Sequence, residues 1–344
     1  MKKRTPERHG NAVAHDATAA LANDIRPGQS IELLKELHIL TREGKLNQDS
    51  RRKLKQVYHL YQFIEKLLLE LAPQPASQLL AEGGGTPALS PLEPDAASAS
   101  QRWAGGQTPG ITLADHGAGK SYLGFILYDL FFKSRESGHI YGIETRPELV
   151  QKSRELAARL GFDRMAFLNL TVAESALSDQ LPERIDVVTA LHACDTATDD
   201  AIAFGLQKQA RFMVLVPCCQ AEVARVLSQH KALSLQRTPL SELWRHPLHT
   251  REMGSQITNV LRCLYLEACG YQVTVTELVG WEHSMKNELI IARHTGQKKR
   301  AAAQRLRELL AQFGLNELLH TRFTSLPENA TDFASLANDT GPAE

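Results

Sequence analysis

Short apolar runs alternate with helical stretches along the chain from Ile111 onward. The runs predict strands near 111–115, 139–144, 165–170, 185–191, 211–216, 271–279 and 287–293. Continuous apolar strands separated by helices are typical of a parallel sheet that is covered on both faces. Only residues 280–286 separate the last two strands, too few for a crossover helix, so these strands should pair antiparallel. We therefore predict an α/β protein with a Rossmann-like seven-stranded sheet that ends in a C-terminal antiparallel hairpin.

The pattern ahead of Ile111 differs and divides the rest of the chain into further segments. Residues 1–27 are polar and predict a disordered tail, whereas 28–72 form a helical N-terminal element. Its stronger helix shows apolar residues at spacings of three and four before Pro73: Leu54, Val57, Tyr58, Tyr61, Ile64, Leu67, Leu68 and Leu71. Residues 73–110 contain six Pro and six Gly and predict a linker, so we expect the helical element to be semi-independent and able to move.

The sheet is predicted to occupy 111–295, and a basic helix followed by a polar tail should occupy 296–344. The composition changes this picture little. The chain has 39 basic and 39 acidic side chains, so no overall field draws it to nucleic acid or to a membrane. It has no apolar run long enough to span a bilayer, and its first residues lack the apolar core of a secretory signal. The five cysteines are odd in number and occur without a secretory signal, so we expect reduced thiols and no disulfide framework. We therefore expect a cytosolic protein with no membrane partner.

A glycine-containing loop follows the first predicted strand, and its sequence ADHGAGKS fits two kinds of ligand. The phosphate loop of nucleotide hydrolases requires G-x-x-x-x-G-K-[ST], for which Gly119, Lys120 and Ser121 supply the last three positions. Ala114 stands where the first glycine belongs, and a side chain there is awkward in the turn. This departure argues against a nucleotide hydrolase.

The second kind of ligand is S-adenosylmethionine, whose binding loops have the pattern D-x-G-x-G. Gly117 and Gly119 would let the backbone approach the amino-acid part of the cofactor, while Asp115 would organise its ammonium group. The second predicted strand ends in Glu144, where an acid can accept hydrogen bonds from both ribose hydroxyls. After the third strand, the adenine should lie near 169–172, where Thr171 is a candidate contact.

Two further strand ends carry candidate catalytic groups at the same edge of the predicted sheet. The fourth strand ends at His192, Cys194 and Asp195, and the fifth ends at Pro217, Cys218 and Cys219. S-adenosylmethionine donates a methyl group, which an amine or hydroxyl of the substrate would accept. Asp195 or His192 could act as a general base for this methyl acceptor or orient it, and His192 could also contact the cofactor. Alternatively, a Cys194 or Cys218 thiolate could add to a pyrimidine ring. His192 and the three cysteines could instead bind zinc, but they lack the C-x-x-C spacing of zinc sites, so we expect no metal. In a further alternative, the cysteines only pack in the core.

Local basic groups suggest the acceptor. The first turns of the strong N-terminal helix carry Arg51, Arg52, Lys53 and Lys55, although such runs are often only a solvated face. A second set could track phosphates beside the pocket: Arg245, His246, His249, Arg251 and Arg262. Because RNA phosphates bind such cations, RNA is the methyl acceptor that we expect, with Pro217, Arg245 and Arg251 among the substrate-binding residues.

Cys263 and Cys269 lie on a predicted helix at the spacing of core residues, and we expect both to pack in the core.

The residues from 111 to 293 resemble the methyltransferase domain 32 family, a methyltransferase-like group that includes the glutathione S-transferase C-terminal-domain-containing protein. The similar pieces are DHGAGKSYLGF at 115–125, LHACDTATDDAI at 191–202, VPCCQ at 216–220, LYLEACGYQV at 264–273 and EHSMKN at 282–287. In the last piece Lys286 and Asn287 follow the family pattern and are further candidates for substrate binding, whereas Ser284 and Met285 depart from it.

This resemblance implies a class I S-adenosylmethionine-dependent methyltransferase fold, with Asp115, Gly117, Gly119 and Glu144 contacting the cofactor. The methyl group would then point toward the pocket of His192, Cys194, Asp195, Pro217 and Cys218. Because fold does not fix function, two other hypotheses stay open. One is a non-catalytic scaffold that binds RNA or protein, and the other is the nucleotide hydrolase.

Overall fold

The computed structural model describes residues 25–72, 110–191, 193, 195–217, 220–230, 239–278 and 288–328. The predicted N-terminal tail up to residue 24, the linker up to residue 109 and the C-terminal tail from residue 329 lie outside these residues.

The strands form one seven-stranded sheet whose bounds differ from the predicted ones by no more than two residues. They are β1 Thr112–His116, β2 His139–Ile143, β3 Met165–Leu168, β4 Val187–Leu191, β5 Phe212–Val216, β6 Tyr271–Glu277 and β7 Glu288–His294. The strand order is β3-β2-β1-β4-β5-β7-β6. Strands β1 to β5 are parallel, whereas β7 runs antiparallel to both β5 and β6. The predicted fold class, including the C-terminal antiparallel hairpin, is confirmed.

Helices cover the sheet on both faces. They are α1 Ile31–Glu36, α2 Gln48–Leu71, α3 Tyr122–Leu127, α4 Pro147–Leu160, α5 Val172–Leu177, α6 Ala197–Gln207, α7 Glu222–His230, α8 Pro247–Ala268, α9 Arg300–Phe313 and α10 Leu318–Thr321. A π-helical turn at Tyr128–Phe132 follows α3, and a 3-10 helix occupies Pro239–Trp244. Among the described helices, none is both long enough and apolar enough to cross a membrane.

The strand order determines which helices cover which face. Right-handed crossovers place the helices on one face while the chain moves outward from β1 to β3, and on the other face once it moves back through β4 and β5. Consequently α6, α7 and α8 pack on the second face, together with α9 and α10. Among the described helices, α3 and α4 are the crossover helices that cover the first face. The apolar residues of β4, β5 and β7 on this face also need cover.

The N-terminal helices cover the remainder of that first face. In α1 and α2, Leu33, Leu34, Ile64 and Leu68 are fully buried in one cluster with side chains of α3, α4 and the strands. The last turn of α2 reaches β7, where Glu70 pairs with Arg293 at 2.7 Å between Oε2 and Nη2. In contrast to the semi-independent element that the sequence predicted, the described segment therefore packs into the core of the sheet domain.

Local sequence explains the limits of α2. The side chain of Asn47 caps its first turn, because Oδ1 accepts a hydrogen bond from the Ser50 amide at 2.7 Å. The helix ends at Leu71, and Ala72 is extended because the next residue is Pro73, whose ring disfavours a helical conformation in the preceding residue.

The π-helical turn after α3 was not predicted from the sequence. Its signature is the hydrogen bond from the Lys133 amide to the Tyr128 carbonyl at 2.8 Å, five residues back. Asp129 in this turn has a fully buried side chain, which accepts a hydrogen bond from the Ser30 amide at 2.7 Å and pairs with Lys133. This turn thereby attaches the start of α1 to the sheet domain.

The docking of α2 predicts a specific loss of stability. Replacing fully buried Leu68 with Ala removes methyl groups from the shared core and should lower the free energy of unfolding by about 2–5 kcal/mol. The neighbouring Leu69 is 51% exposed, so Leu69→Ala should change it by less than about 0.5 kcal/mol. Urea unfolding of both variants measures the difference. Equal stabilities would contradict the docking of α2.

Candidate active site

The strand order reverses between β1 and β4, and ligands bind at the carboxyl ends of parallel strands beside such a point. Among the described residues, Asp115, Glu144 and Asp195 lie at or just after these strand ends. Asp115, at the end of β1, is buried under the loop that follows. Its Oδ1 accepts a hydrogen bond from the Thr189 hydroxyl of β4 at 2.8 Å. Burial raises the pKa of Asp115 to about 6 and outweighs the opposing hydrogen bonds from Thr189 and the Gly124 amide. Asp115 therefore joins β1 to β4 from below the loop.

The loop above Asp115 depends on its glycines. Gly117 and Gly119 have φ angles of +64° and +58°, a conformation that glycine adopts without steric cost. The Ala118 amide donates to the carbonyl of Ile143 at 3.1 Å, which holds the loop against the end of β2. The two predicted glycines thus shape a tight turn directly over the sheet edge.

Ser121 closes the same loop and does not suit a phosphate loop. Its side chain is fully buried, and a side chain at Gly124 in α3 would lie only 2.5 Å from the Ser121 hydroxyl. A phosphate loop needs this hydroxyl on a magnesium ion beside the nucleotide. Because the hydroxyl is enclosed between α3 and the sheet, the geometry disfavours the nucleotide hydrolase that Gly119, Lys120 and Ser121 suggested.

Glu144 is the charged group that connects this loop to β2. Its Oε2 accepts a hydrogen bond from the Gly119 amide at 2.8 Å, and the Arg146 side chain pairs with both carboxylate oxygens. Burial alone would raise the pKa of Glu144, but the hydrogen bonds from Arg146 and Gly119 outweigh it and lower the pKa to about 2. Glu144 is therefore ionised at neutral pH. It is 7% exposed and accepts hydrogen bonds at the end of β2.

The end of β3 lies beside Glu144. Asn169 donates from Nδ2 to the carbonyls of Glu144 and Thr145, at 3.0 and 2.8 Å. Thr171 is the N-cap of α5 and forms a capping box with Glu174, an N-terminal signal that the sequence contains as T-x-x-E. The Thr171 hydroxyl is thus occupied by the helix, while Asn169 ties the β3 end to the acid.

His116 was not singled out from the sequence, although it stands between Asp115 and Gly117. Its ring is 4% exposed and packs on Phe204 of α6 at 5.6 Å between centroids. Neither ring nitrogen has a hydrogen-bond partner among the described residues. Burial lowers the pKa of His116 to about 4, against the attraction of Glu144, so the ring is neutral at pH 7. Its two unused polar atoms at the strand edge mark it as a candidate ligand-binding group.

Asp195, predicted as a catalytic group, makes structural contacts at the start of α7. Its Oδ1 accepts hydrogen bonds from the amides of Ala221 and Glu222 at 2.9 and 3.0 Å, at the start of α7. Its Oδ2 lies 3.5 Å from Arg225 Nη2. Asp195 has a φ of +52°, an uncommon conformation for a residue with a side chain. The carboxylate therefore fastens the loop after β4 to the helix after β5.

Arg262 was expected on a phosphate-tracking rim, and that expectation is wrong. The side chain is 1% exposed and forms a two-bond pair with Asp199 of α6, at 2.8 and 2.6 Å. Its Nη2 also donates to the Asp195 carbonyl at 2.8 Å. A cation that is buried and saturated in this way cannot reach a phosphate, so Arg262 instead holds the loop after β4 on α8.

The same network continues to the loop after β5. Asn259 accepts hydrogen bonds at Oδ1 from Arg262 and from buried Gln220, at 3.2 and 3.0 Å. Gln220 in turn accepts one from the Ser255 hydroxyl at 2.6 Å, and Asn259 donates to Glu288 at 2.5 Å. A chain of buried polar contacts thus connects the ends of β4 and β5 through α8 to the start of β7.

The remaining predicted residues divide into several groups. Pro217 is buried at the end of β5. Arg245 and Arg251 are exposed near the start of α8 and pair with Glu242 and Glu252, at 3.0 and 3.2 Å. Outside the described residues lie His192, Cys194, Cys218, Cys219, Lys286 and Asn287.

The cysteines of α8 and its C-cap behave as packing residues. Cys263 and Cys269 are partly buried against the second-face core, and burial raises the pKa of each thiol to about 12, so neither is a thiolate at pH 7. Within the described part of the chain, no group of three or more His, Cys, Asp or Glu side chains is placed to hold a metal.

A comparison with family models finds a match to part of the chain. Residues 96–226 match the family model of a methyltransferase domain, methyltransferase domain 32. This match agrees with the family that the sequence motifs indicated and identifies residues 96–226 as a methyltransferase domain, which supports the predicted S-adenosylmethionine-dependent activity. The curated proteins contain no match to the chain.

Solved structures are similar only at low identity. The S-adenosylhomocysteine-bound methyltransferase PaMTH1 of Podospora anserina is 12% identical, with 85% of this chain and 100% of that chain covered and a TM-score of 0.40. A fibrillarin pre-rRNA processing protein of Methanococcus jannaschii is 12% identical over 54% of this chain and 67% of its own, with a TM-score of 0.34. An rRNA methylase of Streptococcus thermophilus is 10% identical over 54% and 86%, with a TM-score of 0.32.

The raised pKa of Asp115 predicts a pH dependence of stability. Between about pH 4 and pH 6 the folded protein keeps a proton on Asp115 that the unfolded chain has lost, so this group's stabilisation is lost as pH rises through about 6. Its share is on the order of 2–3 kcal/mol. Urea unfolding of the native chain and Asp115→Asn should show the native chain losing stability relative to the variant across this interval. A constant difference between the two would contradict the burial of an ionisable Asp115.

The buried Arg262–Asp199 pair predicts a double-mutant result. Arg262→Met leaves the Asp199 carboxylate buried without its cation and should lower the free energy of unfolding by about 3–5 kcal/mol. Adding Asp199→Asn removes the uncompensated charge and should recover most of that loss. Chemical denaturation of the single and double variants tests this. A cost below about 1 kcal/mol for the single variant would place Arg262 in solvent after all.

Proposed function

We propose that this chain, an S-adenosylmethionine-dependent methyltransferase by its family match, binds its cofactor over the loop after β1 and methylates RNA. The observation that carries the cofactor site is the position of Glu144. A largely buried, ionised carboxylate stands at the end of β2 and contacts the Gly119 amide of the loop. An acid at this place in a Rossmann-like sheet is suited to accept hydrogen bonds from the ribose hydroxyls.

The neighbouring groups fit the rest of the cofactor. The turn at Gly117 and Gly119 lets its amino-acid part approach the backbone closely. His116 offers two ring nitrogens that lack partners among the described residues, next to this turn. Asp115 stays a proposed contact that acts from beneath the loop, and the segment from Asn169 to Thr171 remains the proposed adenine side. His192 is proposed as a further contact.

The chemistry required of the protein is mainly positioning. When bound, the cofactor supplies an electrophilic methyl group, and the acceptor atom must lie in line with the bond that breaks. Asp195 and Arg262 hold the segment after β4, and Gln220 is held in the segment after β5, so that contacts on both sides position these neighbouring strand ends. We propose that Asp195, His192, Cys194 or Cys218 orients the acceptor or takes its proton, with Pro217 in the wall of the pocket.

Exposed cations around the crevice support an anionic acceptor. Lys120 is exposed on the loop after β1, and Arg146 and Arg225 follow β2 and β5 with side chains that are 59% and 58% exposed. Phosphate groups of RNA are attracted to such a rim, and their binding should weaken as salt increases. Arg245, Arg251, Lys286 and Asn287 are proposed to extend the contact. A cytosolic location belongs to the same proposal.

Cofactor binding to Glu144 variants tests the proposal. S-adenosylmethionine should bind the native chain in calorimetric titration, and Glu144→Gln should weaken binding about tenfold to a hundredfold, because the variant lacks the charged acceptor. Glu155→Gln, which changes an exposed acid of α4, should bind as the native chain does. Magnesium and ATP serve as the competing ligand. Binding of ATP alone, or equal affinities of the native chain and Glu144→Gln, would contradict the site.

The acceptor is tested by transfer of a labelled methyl group. Purified native chain and Glu144→Gln are incubated with methyl-labelled cofactor and with RNA or protein fractions of a cell extract. We expect label in the RNA fraction only, sensitive to ribonuclease, and much less of it with the variant. Label in protein would overturn the RNA acceptor, whereas cofactor binding without any transfer would favour a non-catalytic scaffold.

A further inference from the structure

We propose that Arg146 occupies the ribose-binding oxygens of Glu144 in the free protein, so that its side chain must leave before the cofactor can bind. Arg146 would then act as an internal competitor that sets the cofactor affinity of this chain. This inference rests on the proposed function, because it assigns the ribose to Glu144.

The hydrogen bonds around Glu144 leave no acceptor position free. Oε1 accepts from the Arg146 amide and Arg146 Nε, each at 3.0 Å, and from the Thr145 hydroxyl at 3.3 Å. Oε2 accepts from the Gly119 amide at 2.8 Å and from Arg146 Nη2 at 3.0 Å. A carboxylate offers about four lone-pair positions. Two ribose hydroxyls can therefore bind only if existing donors are displaced.

Two of these donors are suited to leave. The Gly119 and Arg146 amides belong to the backbone, whereas Nε and Nη2 lie at the end of one side chain that is 59% exposed. They donate two parallel hydrogen bonds, one to each oxygen of Glu144. A ribose also presents two neighbouring hydroxyl donors. The guanidinium thus resembles the diol in what it offers Glu144, and the two exclude each other.

The position of Arg146 at the start of α4 indicates that its side chain does not serve to stabilise this helix. Arg146 is the N-cap of this helix, and its side chain caps no backbone amide. Ser, Thr, Asp and Asn are favoured at this position, and a cation near a helix N-terminus opposes the helix dipole. An arginine here is locally unfavourable, and the contact that its side chain makes instead is with Glu144. Local rules are broken most often at functional sites.

The size of the effect follows from the competition. The apparent dissociation constant equals the intrinsic one divided by the fraction of molecules in which Glu144 is free. A partly exposed ion pair contributes at most about 1 kcal/mol, which corresponds to about a fivefold change in affinity. Removing the guanidinium should therefore tighten binding about three- to fivefold. Added salt should reduce this gain, because it screens the pair.

Calorimetric titration of the full chain with S-adenosylhomocysteine tests the proposal. Arg146→Met removes the charge and both donors, and Arg146→Ser in addition supplies a favoured N-cap. Both should bind about three- to fivefold more tightly than the native chain. Arg159→Met is the matched control, because Arg159 lies at the other end of α4 and pairs with Glu36 on the surface. It should bind as the native chain does.

Thermal unfolding of the same variants separates competition from a structural role. Arg146→Ser should unfold at the same or a higher temperature than the native chain, because it gains a cap. A lower melting temperature together with weaker binding would show that the pair supports the fold, and would overturn the proposal. Weaker binding at an unchanged melting temperature would show that Arg146 contacts the cofactor, and equal affinities would show no competition; both overturn it. If neither the native chain nor any variant binds, the proposed function itself fails.

Discussion

A parallel sheet needs apolar cover on both faces, and this constraint determines the architecture of the whole chain. Among the described crossover helices, the right-handed connections place α3 and α4 on the first face. The helices α1 and α2 must therefore pack on the rest of that face, and they do so through a shared core, the Ser30–Asp129 hydrogen bond and the Glu70–Arg293 pair. The helices α1 and α2 precede the matched residues 96–226 in sequence, yet they contribute to the stability of the sheet domain.

The same topology brings the carboxyl ends of β1, β2, β4 and β5 to one edge, where polar side chains hold loops in place. Asp115 joins β1 to β4, and Glu144 joins β2 to the glycine turn. Asp195 joins the β4 loop to α7, and Arg262 secures that loop on α8. A methyl transfer depends on alignment more than on strong acids or bases, so a rigid edge of this kind suits the proposed reaction.

The local sequence pattern predicted the strands and the glycine turn at the end of β1. Both depend on residues that are neighbours in the sequence: an apolar run forms the buried strand, and glycines form the turn that follows it. Contacts between distant residues were not predictable in this way. Arg262 looks like a surface cation until Asp199, 63 positions away, is seen to lie beside it. The docking of α2 depends on a surface formed by several strands. The competition between Arg146 and the ribose site needed the geometry of Glu144, since E-T-R in sequence shows no pairing.

The central claim is that the cofactor lies over the glycine turn and Glu144, and hydrogen–deuterium exchange tests it most directly. With saturating S-adenosylhomocysteine, the amides of 116–121 and 143–147 should exchange more slowly, because the ligand covers the turn and the end of β2. The amides of α2 and α9, away from this edge, should not change. Protection confined to other segments, or no protection at the two named ones, would contradict the account.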